Sequence, residues 1–241
     1  MIAHQPRTEH RQRLYRVRLE WGVEGIELLA AECAAVVVVD VLSFCTTADI
    51  AVGRGAAVLP QRSADPAAAA ARGAVQAGDR HGDGPSLRPS SLAGLASGTR
   101  LALPSPNGAT LCTAARGTEL FAGCLRNASA VAAALRGVDG PAGLVPAGER
   151  WPDGTMRVAM EDALGAGAIA AALTDRSPEA DAAADLFAAA RARGLAAVLG
   201  GLASGRELIA DGFAADIDLA AAHDVSPVAP RMRSDGFLAA P

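Results

Sequence analysis

Apolar and charged residues alternate through Tyr15-Arg16-Val17-Arg18-Leu19-Glu20-Trp21. A period of two predicts a half-exposed strand, suited to a sheet edge. Val36 to Val39 behaves differently. Four β-branched residues with no polar face predict a central strand covered on both sides, ending at Asp40. Further strands are expected over residues 56–60, 99–103, 119–122 and 143–146. Helical patterns occupy residues 22–31, 46–52 (closing at Gly53 or Gly55), 67–77, 107–115 and 161–173. Asn127 is placed to cap a helix that runs to Arg136. Ser177-Pro178-Glu179 is a strong helix start. Ser caps, Pro takes the first helical position and Glu complements the dipole. That helix reaches Arg193 and stops at Gly194. Ser204 and Glu207 have the spacing of a capping box, and a short helix is expected over residues 216–222. Residues 78–98, rich in Gly, Pro and Ser, read as a long loop of the kind that often carries function. Strands alternating with helices indicate a layered α/β fold around a mainly parallel sheet.

Composition narrows the class. The chain has 241 residues, 51% of them hydrophobic and 20% charged. That supports a substantial core, and no linker divides it. A single α/β domain over residues 1–241 is expected, with residues 1–12 as a frayed, arginine-rich arm. Aromatics are 3%, and about a quarter of the chain is Ala, so backbones pack closely. All 22 basic residues are Arg, which codon bias explains more simply than a surface for anions. The net charge of -4 argues against nucleic acid. No apolar run is long enough to span a bilayer, and no apolar stretch of a secretory signal follows the early arginines. A cytoplasmic protein with no membrane partner is expected. Cys33, Cys45, Cys112 and Cys124 form no CxxC, and the histidines are scattered. Free buried thiols are expected, rather than zinc or a disulfide scaffold.

Three times a strand ends in a polar loop followed by a helix of small residues, and loops at strand ends can share a crevice. The first loop holds Asp40, Ser43, Thr46 and Thr47. Asp40 either takes Mg²⁺ through oxygen or caps the next helix, and the hydroxyls either face an anion or pack. The second loop, with Ser105, Asn107 and Gly108, could form a nest for phosphate or carboxylate. The third supplies Glu149 and Arg150, with the Glu161-Asp162 pair opening the following helix ahead of Gly165 and Gly167. Carboxylates, hydroxyls and arginine at helix starts fit a metal-assisted site for phosphoryl or acyl anions. The phosphate-binding GxxxxGK[ST], the dinucleotide GxGxxG, GxSxG and HExxH are absent, and no second Asp lies two residues after Asp40.

Several segments in this order resemble the 2-phosphosulfolactate phosphatase family. They are Val-Val-Val-Val-Asp-Val-Leu followed by Thr46-Thr47, Ser-Pro-Asn-Gly, and Ala-Gly-Glu-Arg followed by Glu-Asp-x-Leu-Gly-Ala-Gly. Ser204-Gly205-Arg206-Glu207-Leu208, the run from Asp216 to Ala221 and Asp224-Val225-Ser226-Pro227-Val228 extend the likeness. The resemblance implies a three-layer α/β/α fold and a Mg²⁺-dependent phosphatase that converts 2-phosphosulfolactate to sulfolactate and phosphate, in coenzyme M biosynthesis. It puts Asp40, Asn107, Glu149, Glu161 and Asp162 in the active-site region. Ser43 stands where the family typically has Arg, and Arg80 or Arg88 would have to replace that charge. The expected catalytic set is therefore Asp40, Glu149, Arg150 and Arg80. Ser43, Thr46, Thr47, Ser105, Asn107 and Gly108 would touch substrate, and Asp40, Glu149, Glu161 and Asp162 would hold Mg²⁺. The partner is a small anionic phosphate ester, and self-association is left open. The alternatives are a degenerate member that only binds a small anion and, more weakly, a nucleotide-binding module.

Overall fold

The computed structural model describes residues 7–115 and 117–240. The chain opens with β1 (Val17–Leu19), α1 (Gly22–Ala30), β2 (Ala35–Val39), α2 (Phe44–Gly53) and β3 (Ala57–Gln61). It continues through α3 (Pro66–Ala71), β4 (Val75–Gln76), β5 (Arg100–Pro104), α4 (Gly108–Ala114), β6 (Glu119–Gly123), α5 (Ala128–Arg136) and β7 (Ala142–Pro146). A hairpin of β8 (Glu149–Arg150) and β9 (Met156–Arg157) leads into α6 (Met160–Ala171) and α7 (Pro178–Arg193). Then come α8 (Leu195–Gly201), α9 (Ala203–Ala210), α10 (Ala214–Ala221), β10 (Arg231–Met232) and β11 (Leu238–Ala239).

Nine strands form one mixed, mostly parallel sheet in the order β1-β7-β2-β6-β10-β11-β3-β5-β4. Helices flank it, giving the three-layer α/β/α architecture. β1, β7, β2 and β6 are mutually parallel, as are β3, β5 and β4. The antiparallel pair β10–β11 joins the two blocks, with Arg231 opposite Phe121 and Leu238 opposite Val58. Along this ladder the two blocks run in opposite senses. Yet the loop after β5 meets the loop after β2, where the Gly108 amide bonds Asp40.

The valine run behaves as its composition demands. Val36 to Val39 are 0% exposed. On one face α6 presses so close that a Cβ on Gly165 would stand 2.8 Å from Val39 Cγ1. On the other, a Cβ on Gly143 would meet Leu29 of α1 at 2.8 Å. Such approaches need glycine, and they explain glycines placed in α6 against helix propensity.

Several expectations are corrected. β1 is an edge strand but not half-exposed. Arg18 is buried because its guanidinium donates to the carbonyls of Arg11 and Tyr15 beside Glu32. Residues 7–12 of the expected frayed arm dock on the body: Gln12 exchanges hydrogen bonds with the backbone of Leu19, and Arg11 pairs with Glu32. Residues 1–6 lie outside the described residues. The helix expected over 67–77 ends at Ala71, and β4 begins at Val75. Asn127 stands at the N-cap position of α5 as expected, but its side chain does not bond the helix. Its amide instead accepts from Cys124 N and donates to Ala122 O. Ser204 lies inside α9, so no capping box forms. All four cysteines are free and buried. Among the described residues no helix is long and apolar enough to cross a membrane.

Candidate active site

Asp40 leaves β2 into the interior, 5% exposed. Its Oδ1 accepts from the Phe44 amide at 3.0 Å, and its Oδ2 from the Gly108 amide at 2.9 Å. One carboxylate thus answers the first free N–H groups of two helices, α2 and α4. A Cβ at position 108 would stand 2.7 Å from Asp40 Oδ2, so glycine is what lets this amide approach. Ser105 Oγ lies 3.5 Å from the same oxygen. Burial, and then the charge of Glu149, push the Asp40 carboxyl up to about 6, against the pull of the two amides and Arg80.

Asp162, in the first turn of α6, does related work one strand away. Its Oδ1 accepts from Val41 N at 2.7 Å and its Oδ2 from Gly148 N at 3.0 Å. It ties the loop after β2 to the loop after β7. Burial, with Asp40 and Glu161 nearby, raises its carboxyl well above the usual range. Glu161 is 3% exposed beside it. The first and third loops therefore do converge.

Arg80 comes from the long loop. Asp40, Asp216 and Glu149 all act on its charge, as does Arg88, and its Nη1 is buried without a partner. Glu149 also borders a cavity of about 440 Å³, lined by Asn107, Ala147, Arg150 and the hairpin residues Asp153 to Met156 among others. Glu149 is the residue common to the cavity and the buried cluster.

Other expected ligands are placed differently. Thr46 and Thr47 are 0% exposed; their hydroxyls donate to Val41 O at 2.8 Å and Leu87 O at 3.0 Å. They hold segments together and do not face a ligand. The nest expected at Ser105 to Gly108 is filled by the chain's own carboxylate, Asp40. Arg150 is exposed and braces its hairpin through Gly154 O at 3.0 Å. Ser43 stands at the start of α2 with its Oγ buried and unpartnered.

Among the described residues no three of His, Cys, Asp and Glu gather as a metal-holding group. Mg²⁺ commonly takes only one or two carboxylates, with phosphate and water completing its shell. Asp40 and Glu149, two carboxylates within each other's field, fit that need. Asp162, like Asp40, accepts an amide proton on each oxygen, so hydrogen bonding does not separate the two as candidate ligands. Residue patterns missed Asp216 as a site residue. It is 0% exposed, its Oδ1 accepts from Ser90 N at 2.8 Å, and its Oδ2 has no partner. Its signal was a carboxylate in the first turn of a helix, which reads equally well as a dipole complement.

A search of curated proteins finds no match to this chain. A family model does match, over residues 24–235, from the first turn of α1 through β10 into the β10–β11 turn. With that coverage, and with strand-end loops that meet around Asp40, the chain belongs to the 2-phosphosulpholactate phosphatase family, a family of phosphoric monoester hydrolases.

Proposed function

We propose that this protein is a Mg²⁺-dependent phosphatase acting on a small phosphorylated hydroxy acid, of which 2-phosphosulfolactate is the model, to give the hydroxy acid and phosphate. The observation that carries the reading is the buried Asp40 carboxyl, locked between two helix starts and within the electrostatic reach of Glu149 and Arg80. Fixed groups of this kind lower a barrier because they need no reorganisation when charge moves.

Arg80 offers its unpartnered Nη1 to the phosphoryl oxygens, a charge-assisted contact. Asp40 and Glu149 would hold Mg²⁺, with fewer protein ligands than the four carboxylates expected from the sequence. When bound, the cation neutralises charge on the transferring group. Electrostatics supports its need: two carboxylates confront the incoming dianion, and Arg80 alone does not offset them. Ser105 and Gly108 keep Asp40 in place, and Asn107 borders the approach through the cavity.

Asp40→Asn tests the reading. Asn retains an acceptor for one of the two amides, so circular dichroism and the melting transition should still report a folded protein. Mg²⁺-dependent phosphate release from a phosphorylated hydroxy acid should fall by about two orders of magnitude or more. Full activity in the variant, or activity in the wild type that chelation leaves untouched, would overturn the assignment.

A further inference from the structure

Residues 78–98, the loop that carries Arg80, contain one short 3-10 turn (Pro89–Leu92). The loop's own bonds are local. Gly78 N donates to Pro85 O at 2.8 Å, and Ser86 N donates to Ser91 Oγ at 3.0 Å. A loop of this length holds an arginine in one place only if something outside it does the holding, because each ordered residue costs conformational entropy.

The corner between α9 and α10 grips the loop on both limbs. The buried ring of Phe213 lies 5.0 Å from the ring of His81, the residue after Arg80. The guanidinium of Arg88, on the other limb, lies 5.0 Å from the centroid of the same Phe213 ring. Three residues on, Asp216 is 0% exposed in the first turn of α10. A carboxylate there ordinarily complements its own helix. This one instead accepts from the backbone of the loop, with Ser90 N 2.8 Å from its Oδ1. On its far side the loop is pinned to α2: Thr47 donates to Leu87 O at 3.0 Å and Arg54 to Leu95 O at 3.1 Å. The first amide of α2, on Phe44, is the one that Asp40 accepts at 3.0 Å. Hydrogen bonds and short stretches of chain therefore run from Asp216 through the loop and α2 to Asp40. Asp216 also keeps a buried acceptor, Oδ2, without a partner, as Arg80 keeps a buried donor, Nη1. Opposite charges left over in this way favour holding the guanidinium on the carboxylate's side of the loop.

We infer that Asp216 is a positioning residue: with Phe213 it clamps the long loop against α2 and so sets where Arg80 stands relative to Asp40. It acts through the arginine and leaves the metal-holding carboxylates alone. The inference rests on the phosphatase reading for what Arg80 does, but the clamp has a readout of its own.

The test uses the full chain with Mg²⁺. Hydrogen exchange reads the clamp directly. In Asp216→Ala the amides of residues 78–92 should exchange about tenfold faster or more, while those of β2 and β6 keep the wild-type rate. Asp216→Asn, which keeps an acceptor for Ser90 N, should restore part of that protection. Phe213→Leu, which keeps apolar bulk and removes the ring, should loosen the same residues. Kinetics on 2-phospholactate reads the consequence. For Asp216→Ala, kcat/KM should fall about ten- to a hundred-fold, while the Mg²⁺ concentration giving half the maximal rate stays within about threefold. Loop exchange that is unchanged in these variants overturns the inference, whatever happens to activity. So does a Mg²⁺ requirement that shifts as far as kcat/KM falls, because the lesion then reaches beyond the arginine. If Asp216→Ala does not fold, Asp216→Asn and Phe213→Leu carry the same comparisons with the wild type. A loop that loosens as expected in a protein with no turnover would sink the phosphatase reading and leave the clamp standing.

Discussion

Asp162 accepts two backbone amides from two different loops, and each of those N–H groups is buried. Replacing it by Asn keeps the shape but turns an amide NH2 toward one of the donors. The loss of one such bond in the interior should cost roughly 1–3 kcal/mol. Urea unfolding of Asp162→Asn should show a lower midpoint with an unchanged slope. A midpoint equal to that of the wild type would mean the loops are tied by something else. At this scale the sequence was informative about Asp40 and misleading about its neighbours. A carboxylate directly after four valines must find a partner, which marked Asp40 from composition alone. One partner, the Phe44 amide of the next helix, is the cap the sequence allowed for; the other, the Gly108 amide, comes from a different strand block, and no local pattern encodes that. Thr46 and Thr47 looked like ligands because hydroxyls at a helix start suit anions. Whether such a hydroxyl turns outward or onto a carbonyl depends on what packs there, here Val41 and Leu87.

The helices were legible where an apolar run had a cap at its start. Ser177 does accept from Ala180 N at 3.2 Å, and α7 spans Pro178–Arg193 as expected. Two-residue strands were not legible, because a period of two cannot be read from so few positions; β4, β10 and β11 are of that kind. α8, beginning directly after Gly194, was also missed, because a stop signal for one helix gives no sign that another starts. The glycines in α6 show what packing adds to pattern. A Cβ on Gly167 would come within 2.0 Å of Ala183 O, a backbone atom of α7. On Gly165 it would meet valine side chains, at 2.7 Å from Val41 Cγ2 and 2.8 Å from Val39 Cγ1. Both Ala variants should lose stability, of order 1–3 kcal/mol for overpacking. Gly167→Ala should lose more, since a backbone must move and not a side chain. Denaturation of the two variants side by side checks the ranking, and the reverse order would mean α7 yields more easily than the valine face.

Across the molecule, acid sensitivity should have a definite sign. Hydrogen bonds from Arg13 and Arg11 lower the Glu32 carboxyl to about 2 in the folded protein, from 4.5. A lowered pKa means its stabilisation is complete above 4.5 and disappears as pH falls toward 2. The melting temperature of Glu32→Gln should lie below that of the wild type at pH 7, with the gap closing between pH 5 and pH 2. A gap that is constant with pH would show that the ionised carboxyl is not what secures residues 11–13 to α1. The sheet carries another consequence. Strand pairing joins its two parallel blocks through β10 and β11, which are the last of the nine strands to leave a ribosome. A nascent chain can thus assemble each half early, yet Asp40 gains its Gly108 clasp only if the halves find each other before the seam exists or wait for it to zip them together. Catalytic competence would then wait on the pairing of β10 with β11.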